Sequence, residues 1–343
     1  MAEQSNDNPH FLVVGLGSMG KRRIRNLQHL GEWQITGFDP RPDRREEAQR
    51  AYGVSVVDQL DIALNWDVDA MIISTPPDLH KSYMEAALDH GLHFFSEAGI
   101  PEAGLQELGA RAEREGLVAA PSCTLRFHPS IKKIKSLIDA DAIGKVHAMT
   151  YHSGQYLPDW HPWESIKTFY AGRRETGGCR EIVPFELVWL TWILGEIREV
   201  MCLKGQVGDL GVDIDDVYQV LMRFGSGTLG HLLVDVLARR PTRVCRFVGA
   251  HGVIEWDYMA GKVWLFEAGS ENASIFQEPA GITRQGYHAK EDMYIQEMAA
   301  FLGAIKGGSA FPHHLAADAE VLDILLAAEK SAEKGIKSTL VSP

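Results

Sequence analysis

The sequence predicts two successive folds: a parallel α/β domain, then an α+β domain built on a large, mostly antiparallel open sheet flanked by helices. Three observations carry this. An apolar strand beginning at Phe11 runs directly into the glycine turn Gly15-Leu16-Gly17-Ser18-Met19-Gly20 and then into a helical pattern. Apolar runs and helical patterns alternate at short spacing as far as Ala120. From Lys145 onward the segments instead alternate apolar and polar residues, as half-buried antiparallel strands do.

In the first part, Trp33 to Asp39 reads as a second strand, Arg41 to Tyr52 as a helix stopped by Gly53, and Val54 to Val57 as a short strand. Ala70 to Ser74 is continuously apolar up to its last residue, which marks a strand buried on both faces, and Thr75-Pro76-Pro77 ends it. A helix His80 to His90 closed by Gly91, a strand His93 to Ser96, a helix Glu102 to Glu115 closed by Gly116 and a strand Leu117 to Ala120 follow. Such alternation implies right-handed crossovers and a parallel sheet, and places a domain boundary so that residues 1–122 form the first domain and 123–343 the second.

The second part opens with an amphipathic helix, Pro129 to Ala140. Strand patterns follow in KVHAMTYHS, EVMCLKGQV, DVYQVLMRF, TLGHLLVDVLA, TRVCRFVGA, GVIEWDY and KVWLFEA, interrupted by a helix from Glu181 to Leu194 that offers Trp189, Leu190, Ile193 and Leu194 for burial. Helices at Tyr294 to Ile305 and Ala316 to Lys334 end the chain and are placed to pack back on the first domain. A sheet with helices on one side leaves the other face to be covered, and a second copy is the usual cover. A homodimer or homotetramer through this sheet is the expectation.

Composition narrows the function. With 343 residues, 45% hydrophobic and 23% charged, the chain reads as an ordinary globular protein, and a formal charge of −12 argues against nucleic acid as partner. The first ten residues lack the apolar core of a signal peptide and no run is long enough to span a membrane, so a cytoplasmic location and no membrane partner are expected. Cys123, Cys179, Cys202 and Cys245 form no CxxC pair and read as reduced core or strand residues. Asp213, Asp215 and Asp216 lack the glycine and distant Glu of a calcium loop and read as a solvated strand entry, and His313-His314 as a surface turn, so no metal is expected.

The glycine turn has a specific chemistry. Gly15 permits the tight turn, Gly17 a close approach of backbone to a pyrophosphate, and Gly20 close packing of helix on strand, with Ser18 and Met19 opening the helix toward the anion. Asp39, at the end of the second strand, is the acceptor for adenosine ribose hydroxyls and repels a 2'-phosphate, which favours NAD; Arg41 and Arg44 leave NADP open. Lys21, Arg22, Arg23 and Arg25 on the following helix read either as a solvated face or as neighbours of a cofactor phosphate.

The segments GLGSMGKRRIRNL, STPPDLH, FFSEAGIPE, LRFHPSIKKIKSLIDADAIGKV, GAHGVIEWD, EMAAFLGAIKGG and AAEKSAEKG resemble, in order and spacing, the Gfo/Idh/MocA oxidoreductases over nearly the whole chain. The resemblance implies a nicotinamide at the carboxyl end of the first sheet, bordered by Ser74, Thr75, Pro76, Pro77, His80, Glu97 and Ala98, and a small sugar-like substrate. It also implies a catalytic Lys in a Glu-Lys-Pro motif, and an Asp followed four residues later by a His. Here Glu97-Ala98-Gly99 stands at the first, while Glu181 and Phe185 stand at the second.

Neither a methyl group nor a phenyl ring accepts a proton, and a positioned base contributes about 10²–10⁴-fold to such a step. The loop that follows Tyr151, rich in Pro and aromatics, supplies alternatives: His161 as substitute base, with Tyr156, Trp160, Lys167 and Arg126 placed to bind or polarise a substrate oxygen. Glu181, His161, Tyr156 and Glu97 are thus the candidate catalytic set. The corresponding expectation is an NAD(P)-dependent oxidoreductase acting on a sugar, polyol or sugar derivative. A dinucleotide- or sugar-binding protein without turnover, or an enzyme that keeps NAD bound and recycles it within one turnover, are the alternatives. Arg180 beside Glu181 raises a bland reading for that carboxylate, an internal ion pair.

Overall fold

The computed structural model describes residues 8–100, 102–160, 164–168, 170–284 and 289–340. They form two compact units, the chain up to Thr124 with Gly281–Ala319, and Leu125–Ala280 with the chain from Glu320 onward.

In the first unit, β1 (Phe11–Val14), β2 (Ile35–Phe38), β3 (Ser55–Val57), β4 (Ala70–Ile73), β5 (His93–Ser96) and β6 (Ala119–Pro121) make one sheet in the order β3-β2-β1-β4-β5-β6. Every pairing is parallel. All four residues of β1 and of β4 are buried, as their unbroken apolar runs require when helices cover both faces. The crossover helices are α1 (Ser18–His29), α2 (Pro42–Tyr52), α4 (His80–Asp89) and α5 (Leu105–Glu115), with a single-turn α3 (Leu60–Leu64) that the sequence pattern did not mark. Gly53 and Gly116 end α2 and α5 in the left-handed conformation. α5 starts three residues later than expected because Gly104 at its N-cap has φ +89°.

The second unit contains α6 (Pro129–Asp139), α7 (Cys179–Leu194) and a nine-stranded sheet. Its strands are β7 (Val146–Tyr156), β8 (Ile197–Gly205), β9 (Val217–Phe224), β10 (Leu229–Asp235), β11 (Leu237–Gly249), β12 (Gly252–Asp257), β13 (Lys262–Glu267), β14 (Ser274–Gln277) and β15 (Ser338–Thr339). They run in the order β14-β13-β12-β11-β7-β10-β9-β8-β15, antiparallel except for the central β7–β10 pair. The segment TLGHLLVDVLA, which reads as one strand, breaks at Val236 into β10 and the start of β11. Helices α8 (Asp292–Ile305) and α9 (Leu315–Lys334) complete the chain.

Register sorts this sheet into two faces. One row of directly paired residues runs Val263, Trp256, Cys245, Tyr151, Leu232, Val220, Cys202 and is buried, with α6 and α7 on that side. The adjacent row is Trp264, Glu255, Arg246, Thr150, His231, Leu221, Met201, on the opposite face. That face exposes Leu203 (75%), Leu221 (53%) and Ile275 (58%), and carries a concavity of about 420 Å³ bordered by His152, His231, Arg246 and Trp264.

Several expectations fail because folding brings partners to side chains that look unpaired in the sequence. Arg22, Arg23 and Arg25 form no solvated face; they are buried, because Glu291 and Glu297, brought by α8, lie against α1. His313 is not on a surface turn but buried and bonded to Asp318 (3.1 Å). The aspartate string does lead into a strand, β9, but only Asp213 of the three is exposed: Arg174 pairs with Asp213 and Asp215, Lys204 with Asp215, and buried Asp216 accepts the amides of Val207 and Gly208. Arg180 pairs with Glu329 of α9 (2.7 Å), not with Glu181. All four cysteines are buried and none forms a disulfide. Among the described residues no helix is long and apolar enough to cross a membrane, and no cluster of metal-ligating side chains occurs.

Candidate functional site

The strand order of the first unit reverses between β1 and β4, the switch point where a parallel open sheet leaves a crevice at the carboxyl ends of its strands. The glycine turn lies there. Gly15 has φ +87°, and a Cβ on it would stand 2.6 Å from the Ser74 carbonyl oxygen that ends β4. On Gly20 a Cβ would stand 1.8 Å from the Gly15 oxygen, so only glycine lets α1 begin this close to the strand. Gly17 differs: its nearest neighbour would be the Arg44 guanidinium at 3.7 Å, which leaves room above it. Gly17 is also the N-cap of α1, with no side chain capping the helix and no acidic residue in the first turn. Ser18, Met19 and Gly20 open that turn, so the positive end of the helix faces a space that a pyrophosphate fits.

Asp39 follows β2 and is buried, accepting the Leu16 amide on Oδ2 (2.8 Å) and the Arg41 amide on Oδ1 (2.9 Å). A carboxylate has about four lone-pair sites, so two amides leave capacity for ribose hydroxyls. Arg44 stands 3.5 Å from Asp39 and beside Gly17, whereas Arg41 is turned to exposed Asp43 (2.6 Å). Of the two arginines, Arg44 is the one at the cradle.

Beyond β4, the Thr75 carbonyl accepts the Nε2 proton of His80 (2.9 Å) across Pro76 and Pro77, which open a short 3₁₀ turn. His80 is buried, and that burial lowers its pKa. Glu97, after β5, receives Arg23 Nε (2.6 Å) and Nη2 (2.8 Å) and the Ser74 hydroxyl (3.3 Å). Arg23 in turn meets Glu297 at 2.9 Å. Burial opposes the Arg23 charge, but Glu97 and Glu297 outweigh it and raise its pKa. Ala98 and Gly99 follow with no ionisable group.

In the second unit the start of α7 is built from glycines. A Cβ on Gly177 would lie 2.1 Å from the Ala171 oxygen, and Gly178, the N-cap, has φ +54°. Glu181 occupies the first turn, and its Oε1 accepts the Tyr170 hydroxyl at 2.8 Å. Phe185 is one turn further on, the spacing that puts two side chains on one helix face. The next residue, Glu186, is fully buried and accepts Tyr151 Oη (2.8 Å), Ser153 Oγ (2.9 Å), Trp189 Nε1 (2.9 Å) and Arg243 Nη2 (2.6 Å). Burial, then the Glu186 charge, pushes the Tyr151 hydroxyl well above its ordinary pKa.

The structure does not gather all the anticipated side chains. Tyr151 and Ser153 point to α7, so the two-residue period of β7 carries Tyr156 to the opposite face, where the Arg239 guanidinium lies 3.7 Å from its ring centre. Tyr156 and Glu181 are therefore not brought together. Arg126 is directed at the Val188 carbonyl of α7 (3.0 Å from Nη2), and Lys167 is exposed over Gly211. The Trp160 amide donates to Leu157 O (3.1 Å) and its indole nitrogen is buried. His161 lies outside the described residues. Tyr170 was not anticipated, because no local motif announces a tyrosine eleven residues before its carboxylate partner. Glu186 does carry a sequence signal, a carboxylate inside the apolar run VPFELVWL.

The chain matches known proteins along most of its length. An oxidoreductase family with an NAD-binding Rossmann fold matches residues 10–122, and the GFO/IDH/MocA C-terminal domain matches residues 131–255. A dTDP-3,4-didehydro-2,6-dideoxy-alpha-D-glucose 3-reductase of Streptomyces violaceoruber is 32% identical over 268 residues, 77% of this chain and 75% of that protein. A 2,7-anhydro-N-acetylneuraminate hydratase of Mediterraneibacter gnavus is 25% identical over 255 residues, 72% of this chain and 67% of that one. Among solved structures, levoglucosan dehydrogenase in complex with NADH shares the fold, with TM-score 0.83 at 18% identity over 98% of this chain and 100% of the other. The cradle, its acidic neighbour and these matches agree: the chain belongs to the Gfo/Idh/MocA family of oxidoreductases, and its first unit is an NAD-binding Rossmann domain.

Proposed function

We propose that this chain is an NAD-dependent oxidoreductase that transfers a hydride at a carbinol or carbonyl carbon of a sugar, polyol or sugar derivative. The observation that carries the reading is the glycine cradle at the β1/β4 switch point, joined in one chain with a carboxylate, Glu181, set by two glycines at the first turn of α7. Several relatives bear names in keeping with it, among them an inositol 2-dehydrogenase of Rhizobium meliloti and a levoglucosan dehydrogenase.

In this reading Gly15, Gly17 and Gly20 admit the pyrophosphate, Ser18 and Met19 present the helix N-terminus to it, and Asp39 with Arg44 borders the adenosine ribose. Ser74 to Pro77, His80, Glu97 and Ala98 border the nicotinamide half, which follows from their position after β4 and β5. Bound NAD supplies the hydride acceptor. Glu97, gripped by Arg23, acts by position. Glu181 takes the hydroxyl proton, and Trp160 and Lys167 border the sugar. The exposed apolar residues of the nine-stranded sheet, Met201, Leu203, Leu221 and Ile275, form the surface on which a second copy docks. Light scattering on the purified protein tests that, with a monomer at all concentrations counting against it.

The main test is reduced-nicotinamide absorbance with a panel of sugars and polyols. Tight NAD binding with no reduction by any of them refutes net oxidation. Ala98 and Phe185 favour one second reading, in which NAD stays bound and is reduced and reoxidised within each turnover. A sugar converted without net change in nicotinamide absorbance supports it, and stoichiometric NADH release excludes it.

A further inference from the structure

The proposed oxidoreductase lacks the lysine and histidine that family resemblance assigns to proton handling, so another group must move the hydroxyl proton. The loop before α7 is built around one candidate. Tyr170 opens a short 3₁₀ turn, Tyr170–Gly172, whose backbone is fixed on every side. The Thr176 hydroxyl donates to the Tyr170 carbonyl (2.7 Å), and Ala171 is fully buried. A Cβ on Gly172 would stand 1.9 Å from the Ile166 oxygen, and one on Gly177 would stand 2.1 Å from Ala171 O and 2.4 Å from Arg173 O. The loop therefore folds back on itself more tightly than any side chain at those two positions allows.

The start of α7 is pinned from the other side as well. Arg180 donates to the Glu175 carbonyl (2.6 Å) and pairs with Glu329 of α9 (2.7 Å). What these contacts hold in register is the 2.8 Å hydrogen bond from Tyr170 Oη to Glu181 Oε1. Both side chains keep partial exposure, so a small molecule can reach them. Glu181 also sits in the first turn of a sixteen-residue helix, where the dipole favours its anion. A phenol that donates to a fixed carboxylate gains a proton only by giving up its own.

We propose that Tyr170 is the catalytic residue that exchanges a proton with the substrate hydroxyl, with Glu181 as the terminal acceptor. The inference rests on the dehydrogenase reading given above. In the oxidation direction, the carbinol C–H bond breaks and its electron pair leaves with the hydrogen to oxidised nicotinamide. The substrate O–H proton passes to Tyr170 Oη as the tyrosine proton passes to Glu181 Oε1. The products are a carbonyl, reduced cofactor, unchanged tyrosine and a neutral Glu181; reduction runs the same transfers backward.

The experiment compares wild type, Tyr170→Phe, Glu181→Gln and the double variant, with circular dichroism to confirm folding. NAD affinity is read from quenching of tryptophan fluorescence, and single-turnover NAD reduction is measured across pH with the best sugar of the panel. Tyr170→Phe is expected to bind NAD within about twofold of wild type and to lower the single-turnover rate about 100-fold or more. The double variant is expected to be no slower than the worse single variant, because the two groups act as a unit. In the protein without cofactor, spectrophotometric titration is expected to show one tyrosine ionising at lower pH in Glu181→Gln than in wild type, and no such tyrosine when Tyr170→Phe is added. Turnover in Tyr170→Phe within threefold of wild type, multiplicative losses in the double variant, or unchanged tyrosine titration overturns the role of Tyr170 alone. No turnover of any sugar by wild type, despite NAD binding, removes the dehydrogenase reading and this role with it.

Discussion

Arg23 grips Glu97 with two hydrogen bonds, 2.6 Å from Nε and 2.8 Å from Nη2, while its third nitrogen meets Glu297 at 2.9 Å. One fully buried guanidinium thus joins the first crossover helix, the end of β5 and helix α8. Glu297 is itself held by the Ser122 hydroxyl, the Cys123 amide and the Thr124 hydroxyl, so the chain end of the first sheet belongs to the same network.

Arg23→Met leaves buried Glu297 and half-buried Glu97 without their shared cation. Breaking a buried pair costs about 3–5 kcal/mol, and Glu297, whose carboxyl is pushed up by burial against the pull of Arg23, loses that pull. A fall of this size in urea unfolding free energy is expected, with a smaller one for Glu97→Gln. A loss below about 1 kcal/mol for Arg23→Met contradicts the network's role.

Two glycines of the turn should separate folding from cofactor binding. Gly20→Ala puts a methyl group 1.8 Å from a backbone oxygen and is expected to lower stability, whereas Gly17→Ala meets only the end of the flexible Arg44 side chain at 3.7 Å. Gly17→Ala is therefore expected to keep its melting temperature and lose NAD affinity at least tenfold, since a methyl group takes the place where backbone meets pyrophosphate. Calorimetry for both variants checks the contrast, and equal effects on stability would show it to be wrong.

His80 makes stability depend on pH. Burial lowers its folded-state pKa below the ordinary value of about 6.5, so between these two values the unfolded chain binds a proton that the folded chain does not. Its contribution is intact above about pH 6.5 and is lost as pH falls through the folded pKa. His93 and His231 are shifted down for the same first reason. Melting temperature is expected to drop on acidification below that point, with a shallower drop in His80→Gln; parallel curves for the two proteins would exclude His80 as a contributor.

Glu186 is the structural counterpart of Glu181 on α7. Glu186→Leu strands the Arg243 guanidinium, which burial disfavours and Glu186 sustains, and also removes the acceptor of Tyr151, Ser153 and Trp189. A destabilisation of about 3–5 kcal/mol is expected, without change in NAD affinity. Chemical denaturation and fluorescence quenching measure the two separately.

Much of this was legible along the chain, because it is local. Strand β4 shows itself by an unbroken apolar run, α2 by its stop at Gly53, and the cradle by three glycines whose steric reasons the structure bears out at Gly15 and Gly20. The site was legible only in part. Tyr156 and Glu181 read as neighbours in function, yet a strand's two-residue period sends Tyr156 to the other face of the sheet. Arg41 and Arg44 look equivalent in sequence, and only folding shows Arg44 beside Gly17.

Residue type and short-range spacing were enough for the two-part architecture and the dinucleotide cradle. Tertiary structure decided which charges are spent on holding the fold. Arg22, Arg23 and Arg25 read as a solvated face or as neighbours of a phosphate until α8 brings Glu291 and Glu297 to them. Tyr170 looks ordinary until Gly172 and Gly177 fold its loop onto Glu181. Hydrophobic period and glycine are written locally; the partner of a buried charge is set by packing between segments far apart in the chain, which no local pattern encodes.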